Sequence, residues 1–166
     1  MKKIATFLLL FSLLSCDDGD FEIPSFQFSE TLQSCGSYVL YRTNTAKNEA
    51  LVLVLNTTVI KNQVSTTPIT LAITPSNTQY RIFDGVIGTD YFCQTLPPTR
   101  PFVLKTWEGV AGTSSFIQIE TTQNLNTNAE LIGYKHRITL LNMRLQNGTD
   151  LITYQTYSFG TFLTSI

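Results

Sequence analysis

Short apolar runs separated by turn residues recur along most of the chain, and they set the first expectation. Phe26-Gln27-Phe28, two residues after Pro24, predicts a strand with both rings on one face. Residues 37–42 (SYVLYR) predict a second strand. Residues 50–55 (ALVLVL) are continuously apolar, as a strand covered on both faces would be. Residues 69–73 lie between Pro68 and Pro75, which mark the ends of another run. Residues 80–83 lead into the turn pair Asp84-Gly85. Residues 116–122 set Phe116, Ile117 and Ile119 against Gln118 and Glu120, and residues 138–145 run towards Asn147-Gly148.

Asn147-Gly148 is the strongest local signal. Asn-Gly between two β-like runs predicts a type I′ hairpin, because both central residues must accept positive φ. With these two residues as the loop, Met143 faces Ile152 and Leu141 faces Tyr154 on one side. Asn142 then faces Thr153 on the other. After this hairpin, aromatics alternate with small residues from Tyr157 to Phe162.

About seven to nine short strands at this spacing, without an amphipathic helix, predict an antiparallel β-sandwich, with a small β-barrel as the alternative. Residues 25–166 are expected to form this single domain. Thr occurs 25 times, which suits strands and turns better than helices. Residues 95–101 hold Pro97, Pro98 and Pro101, which predicts a rigid crossover or an edge covering rather than a central strand. A ligand for a partner's aromatic groove is the other reading of those prolines.

The first fifteen residues follow a different rule. Lys2 and Lys3 precede a stretch from Ile4 to Leu14 in which nine of eleven residues are apolar. As a helix it would span about 16 Å at 1.5 Å per residue, against roughly 30 Å of bilayer core. It therefore reads as the h-region of a removed signal peptide, residues 1–15. The junction Leu13-Leu14-Ser15-Cys16 resembles the lipobox of bacterial lipoproteins. That resemblance implies cleavage before Cys16 and transfer of a diacylglycerol to its thiol. Asp17-Asp18-Gly19-Asp20 then begins an acidic tether, residues 16–24. This cluster resembles the export signal of outer-membrane and surface lipoproteins in Bacteroidota-type bacteria. The implied location is the cell envelope, with anchoring to the outer membrane through Cys16 as the first reading; an Asp directly after the lipidated Cys elsewhere means retention in the inner membrane, so membrane and leaflet stay open. The acidic cluster lacks the alternating ligands and closing Glu of a calcium loop.

Removing residues 1–15 changes the charge and cysteine arithmetic. The precursor carries 11 Lys+Arg and 12 Asp+Glu; without Lys2 and Lys3 the mature 151 residues have a formal charge of −3. Such a balance does not suit a nucleic-acid binder. Two thiols remain, Cys35 and Cys93. In an oxidising compartment they are expected to pair, with two free thiols or a metal pair as the alternatives. Two Cys and the single His136 give no zinc-ligand spacing, so no metal and no cofactor are expected.

Candidate chemistry is sparse. His136, flanked by Lys135 and Arg137, is expected to be an exposed strand residue rather than a catalytic base, and Ser114-Ser115 to be a polar turn rather than a nucleophile motif. Asp84, Asp90 and Glu108 could supply paired carboxylates for an envelope hydrolase, but each sits by a glycine-containing turn. Trp107, with Tyr91, Phe92 and Tyr80 nearby in sequence, could offer rings to a sugar, although large aromatics more often fill a core. Trp107 and Tyr91 are thus the weak candidates for ligand binding. The whole chain also resembles small flavobacterial lipoproteins, through the signal-Cys-acidic start, the β-rich body, Tyr91-Phe92-Cys93 before prolines, and Phe159-Gly160-Thr161 near the end. That resemblance carries no activity and no site residue. The expected role is a non-enzymatic module that binds an envelope protein or takes part in envelope assembly, with a glycan-binding module as the alternative.

Overall fold

The computed structural model describes residues 26–28, 31–36, 38–96, 98–112 and 114–166. The expected leader, Cys16 and its acidic tether lie outside the described residues, as do Ser37 and Pro97. The described chain is all-β and antiparallel. Its strands are β1 (Gln33–Cys35), β2 (Val39–Thr43), β3 (Glu49–Val54), β4 (Ile69–Ala72), β5 (Thr78–Phe83), β6 (Val103–Gly109), β7 (Phe116–Leu125), β8 (Leu131–Asn147) and β9 (Asp150–Ser165). The one helical turn among the described residues is a 3-10 turn, Tyr91–Cys93.

The strands follow the order β1-β2-β3-β5-β6-β8-β7-β4, with β9 on the other edge of β8. β8 is long enough to serve two neighbours on one edge. Its first part pairs with β7, from Leu131 to Leu141, and Leu145 and Gln146 pair with the end of β6. Leu40, Leu51, Leu53, Tyr80 and Trp107 from one half of the sheet meet Ile117, Ile119, Ile138, Leu140, Met143 and Phe159 from the other in a single buried cluster. The sheet therefore folds over on itself into two layers around one core, as a sandwich does. It is not closed into a barrel, since among the described residues β1 pairs only with β2 and β9 only with β8.

The open seam between β2 and β9 is filled by the chain that precedes β1. Residues 26–28 are not a strand, contrary to the pattern of Phe26-Gln27-Phe28; they are a plug, with both rings buried. Phe26 stacks on Tyr154 at 4.7 Å, both rings meet Tyr80 and Tyr157 edge-on, and Leu32 covers Gly160. Contacts thus walk along β9 in step with the segment. Arg42 of β2 reaches across, donating to the carbonyls of Phe28 and Phe159. A charged donor shared between two carbonyls closes an edge that no ladder closes.

β3 confirms the reading of ALVLVL. Leu51 and Leu53 point into the main core, while Ala50 and Val52 point to a second cluster on the outer face with Tyr41, Phe83, Ile87 and Tyr91. The cover of that second face is the connection from β5 to β6, which includes Ile87 and the 3-10 turn. It joins adjacent strands, so it lies over a sheet face and is not a crossover between distant strands. The Cys35–Cys93 disulfide, with Cα atoms 5.0 Å apart, pins this cover to β1.

The β8–β9 hairpin exists, but its loop is Gly148-Thr149. Asn147 pairs with Asp150, Leu145 with Ile152 and Met143 with Tyr154, so the register differs from the expected one. Gly148 takes φ 56° and Thr149 does not take positive φ, the pattern of a type II′ turn with Gly at its first central position. Leu141 and Met143 were expected on one side. Instead Asn142, at φ 46°, breaks the alternation: His136, Ile138 and Leu140 are buried before it, Met143 and Leu145 after it. The Asn142 amide donates to the Ser114 carbonyl, and the buried Ser115 hydroxyl donates to the Asn142 carbonyl. Ser115 therefore ties down the corner where β8 changes partner.

Candidate functional site

A cleft of about 530 Å³ lies where β9 ends and β2 begins. The described residues that line it are uncharged, among them Ser34, Tyr38, Ile60, Asn62, Phe162 and Thr164. Three separate pieces of chain build it. β1 supplies Ser34 and the β1–β2 turn Tyr38, the connection after β3 supplies Ile60 and Asn62, and the end of β9 supplies Phe162 and Thr164.

Beneath this wall sits His136. The expectation that it is an exposed strand residue is wrong: it is 0% exposed. Strand alternation explains the burial, because His136 shares a face with Ile138 and Leu140. Its Nδ1 lies 2.9 Å from the Thr121 hydroxyl and its Nε2 lies 3.0 Å from the Thr164 hydroxyl. The Thr164 O–H donates to Asn62 Oδ1 at 2.7 Å, and the Asn62 amide nitrogen donates to the Ser165 carbonyl. These roles fix the tautomer. With its proton given to Asn62, Thr164 must accept from Nε2–H, so Nδ1 accepts from Thr121. The imidazole is neutral with both nitrogens satisfied, and burial holds its pKa below the usual histidine value. The Phe162 ring stacks beside it at 6.0 Å. Such a histidine positions Thr164 and Asn62 at the cleft; it does not reach the opening itself.

The residues singled out from sequence fall elsewhere. Trp107 is 3% exposed and Tyr91 7% exposed, so neither can present a ring face to a sugar. Trp107 packs on Tyr80 at 5.2 Å in the main core, and its indole Nε1 has no hydrogen-bond partner among the described residues. Tyr91 belongs to the second cluster, edge-on to Phe83. Large ring area carried both into cores, and the weak ligand candidates are therefore replaced by the cleft residues. Cys35 and Cys93 do come together, as expected. Asp84 is occupied by Arg100, at 2.9 Å, and by the backbone N–H of Phe102. Among the described residues, no group of three or more His, Cys, Asp or Glu converges as a metal site would require.

Tyr38, Asn62 and Thr164 were not singled out from sequence. Asn62 lies in a turn-rich stretch without periodicity, and Thr164 looks like any of the chain's many threonines. One signal was available: the β7 alternation Ile117, Ile119, Thr121 places a hydroxyl on the core face, where a polar partner such as His136 is needed. Comparison with family models, with curated proteins and with solved structures finds no match for this chain.

Proposed function

We propose that this protein is a lipid-anchored cell-envelope protein, held in the outer membrane through Cys16, whose β-domain is a non-enzymatic binding module for a neutral, hydroxyl-rich ligand such as a glycan. The Leu13-Leu14-Ser15-Cys16 junction supports the anchor, and the acidic residues after it support outer-membrane export. The observation that carries the binding role is the uncharged cleft. Its hydroxyls and amide, with the half-buried Tyr38 ring, offer hydrogen bonds and a stacking edge without a charge to desolvate.

Neutral oligosaccharides and fragments of envelope glycans, titrated against the mature protein and followed by NMR, test this reading. Saturable shifts centred on Tyr38, Asn62 and Thr164, weakened in Asn62→Ala with the fold retained, are expected. Saturable binding that leaves these residues unmoved, or no binding across the panel, would count against it.

A further inference from the structure

The end of the sandwich opposite the cleft carries a compact group of exposed apolar side chains. Phe102 is 51% exposed, Val103 41% and Leu104 62%, where β6 begins, and Val86 is 68% exposed on the loop beside them. The backbone holds the two stretches together. Asp84 N–H donates to the Phe102 carbonyl, the Asp84 carboxylate accepts from the Phe102 N–H, and Gly85 packs towards Pro101. Arg100 pairs with the Asp84 carboxylate of this contact and covers the Phe102 ring at 4.0 Å. Lys105 flanks the group on β6, and Lys47 flanks it through the backbone bond from Ile87. Exposed apolar tips with cationic residues nearby in the fold suit a lipid headgroup boundary.

The path of the chain supplies the second observation. Leu32 touches Gly160, Phe28 meets Tyr157 and Phe26 stacks on Tyr154, so the chain heads towards the start of β9 as it is followed back from β1. The same direction leads along β2 from Gln33's partner Tyr41 to Thr43, which lies level, across β3, with Arg81 near the end of β5. Phe83 pairs with Val103. The chain thus leaves the sandwich towards the end that bears the apolar group, ten residues after Cys16. Ten residues reach at most about 35 Å when fully extended.

We infer that this end docks on the lipid bilayer, with Val86, Phe102, Val103 and Leu104 entering the headgroup boundary and the cleft facing away from the membrane. The inference rests on the anchor proposed at Cys16. It makes the tether and the apolar group a two-part membrane attachment and gives the domain a fixed orientation.

The test uses the full-length chain, processed in its host and reconstituted in phospholipid vesicles. A single cysteine carrying an environment-sensitive fluorophore is placed at Val86, Leu104 or, as a control, the exposed Thr122 on β7. Trp107 emission checks that each variant is folded. Flotation of the unlabelled protein with vesicles reports the anchor separately. The expected result is flotation, with quenching by acyl-chain-brominated lipid several-fold stronger at positions 86 and 104 than at 122. Adding Phe102→Asp should remove most of that difference while flotation persists. Flotation with equal quenching at all three sites would overturn the orientation and leave the anchor standing. Failure to float would overturn the anchor and the docking with it. A vesicle-free probe signal at 104 that rises with protein concentration would assign the surface to a second copy of the chain and also overturn the inference.

Discussion

His136 Nε2 donates across 3.0 Å to the Thr164 hydroxyl, and through it a buried, uncharged imidazole is coupled to the wall of the cleft. Neither residue touches the other in sequence; the β8–β9 pairing, with Tyr134 opposite Thr164 and His136 opposite Phe162, brings them together. The arrangement favours a neutral ring, because burial penalises the charged imidazolium.

This coupling predicts a pH dependence. Burial depresses the folded-state pKa of His136 below 6.5, so on acidification the unfolded chain takes up the proton first. The stability is fully present above the unfolded value of 6.5 and is lost progressively as pH falls from there towards the folded value. Denaturant midpoints measured between pH 7.5 and 5 should fall, and the fall should vanish in His136→Gln. Because the chain has a single histidine, no other imidazole contributes in this window.

The disulfide links residues 58 apart in sequence. In the chain-entropy model a loop of that size contributes roughly 4 kcal/mol. Reduction, or Cys35→Ser with Cys93→Ser, should therefore lower the denaturant midpoint markedly. Hydrogen exchange should rise first in the β5–β6 cover around Tyr91, because the second cluster loses its pin before the main core does. Equal acceleration across β7 and β8 would contradict that order.

The plug at the seam predicts a graded series. Phe28→Ala empties a buried ring site and should cost about 3–5 kcal/mol, as such truncations commonly do. Arg42→Ala removes a charged donor to two carbonyls and should cost about 1.5–3 kcal/mol. Both should expose the aromatic cluster of Tyr80, Tyr154 and Tyr157 to a dye that binds apolar surface. A full-stability Phe28→Ala protein would mean that the seam closes without the plug.

Two glycines should respond differently to alanine. A Cβ at Gly133 would lie 1.9 Å from the Thr164 carbonyl oxygen, so Gly133→Ala must force β8 and β9 apart at the cleft end. At Gly148 nothing lies within 4 Å, and only the left-handed φ of 56° resists substitution, at a cost of about 1 kcal/mol. Thermal melts of the two variants should differ widely, with Gly133→Ala the less stable.

Trp107 gives a direct optical check on its own placement. A ring 3% exposed in the main core should emit at short wavelength and resist acrylamide until the chain unfolds. Emission typical of a water-exposed indole in the native protein would return Trp107 to the ligand candidates.

Much of the fold was legible because alternation and turn chemistry act locally. ALVLVL announced a strand with two buried faces, and Cys35 and Cys93 announced their bond by being the thiols left for the domain. The failures have long-range causes. Phe26 and Phe28 look like a strand, but the seam beside β9 needed rings more than another ladder. Charged neighbours made His136 look exposed, whereas alternation sends Lys135 and Arg137 outward and the ring inward. β6 is not marked by local alternation, because its register against β5 shifts at Ile82/Phe83. The cleft is assembled from three distant segments, and no local pattern encodes that meeting.

The intact mass of the protein isolated from membranes tests the proposed lipid anchor on Cys16 together with the Cys35–Cys93 disulfide. The expected species lacks residues 1–15, is heavier than its peptide mass by an acylated glycerol on Cys16, and gains two hydrogens on reduction. A membrane-isolated chain that keeps residues 1–15, or that begins at an unmodified Cys16, would contradict the proposed anchor.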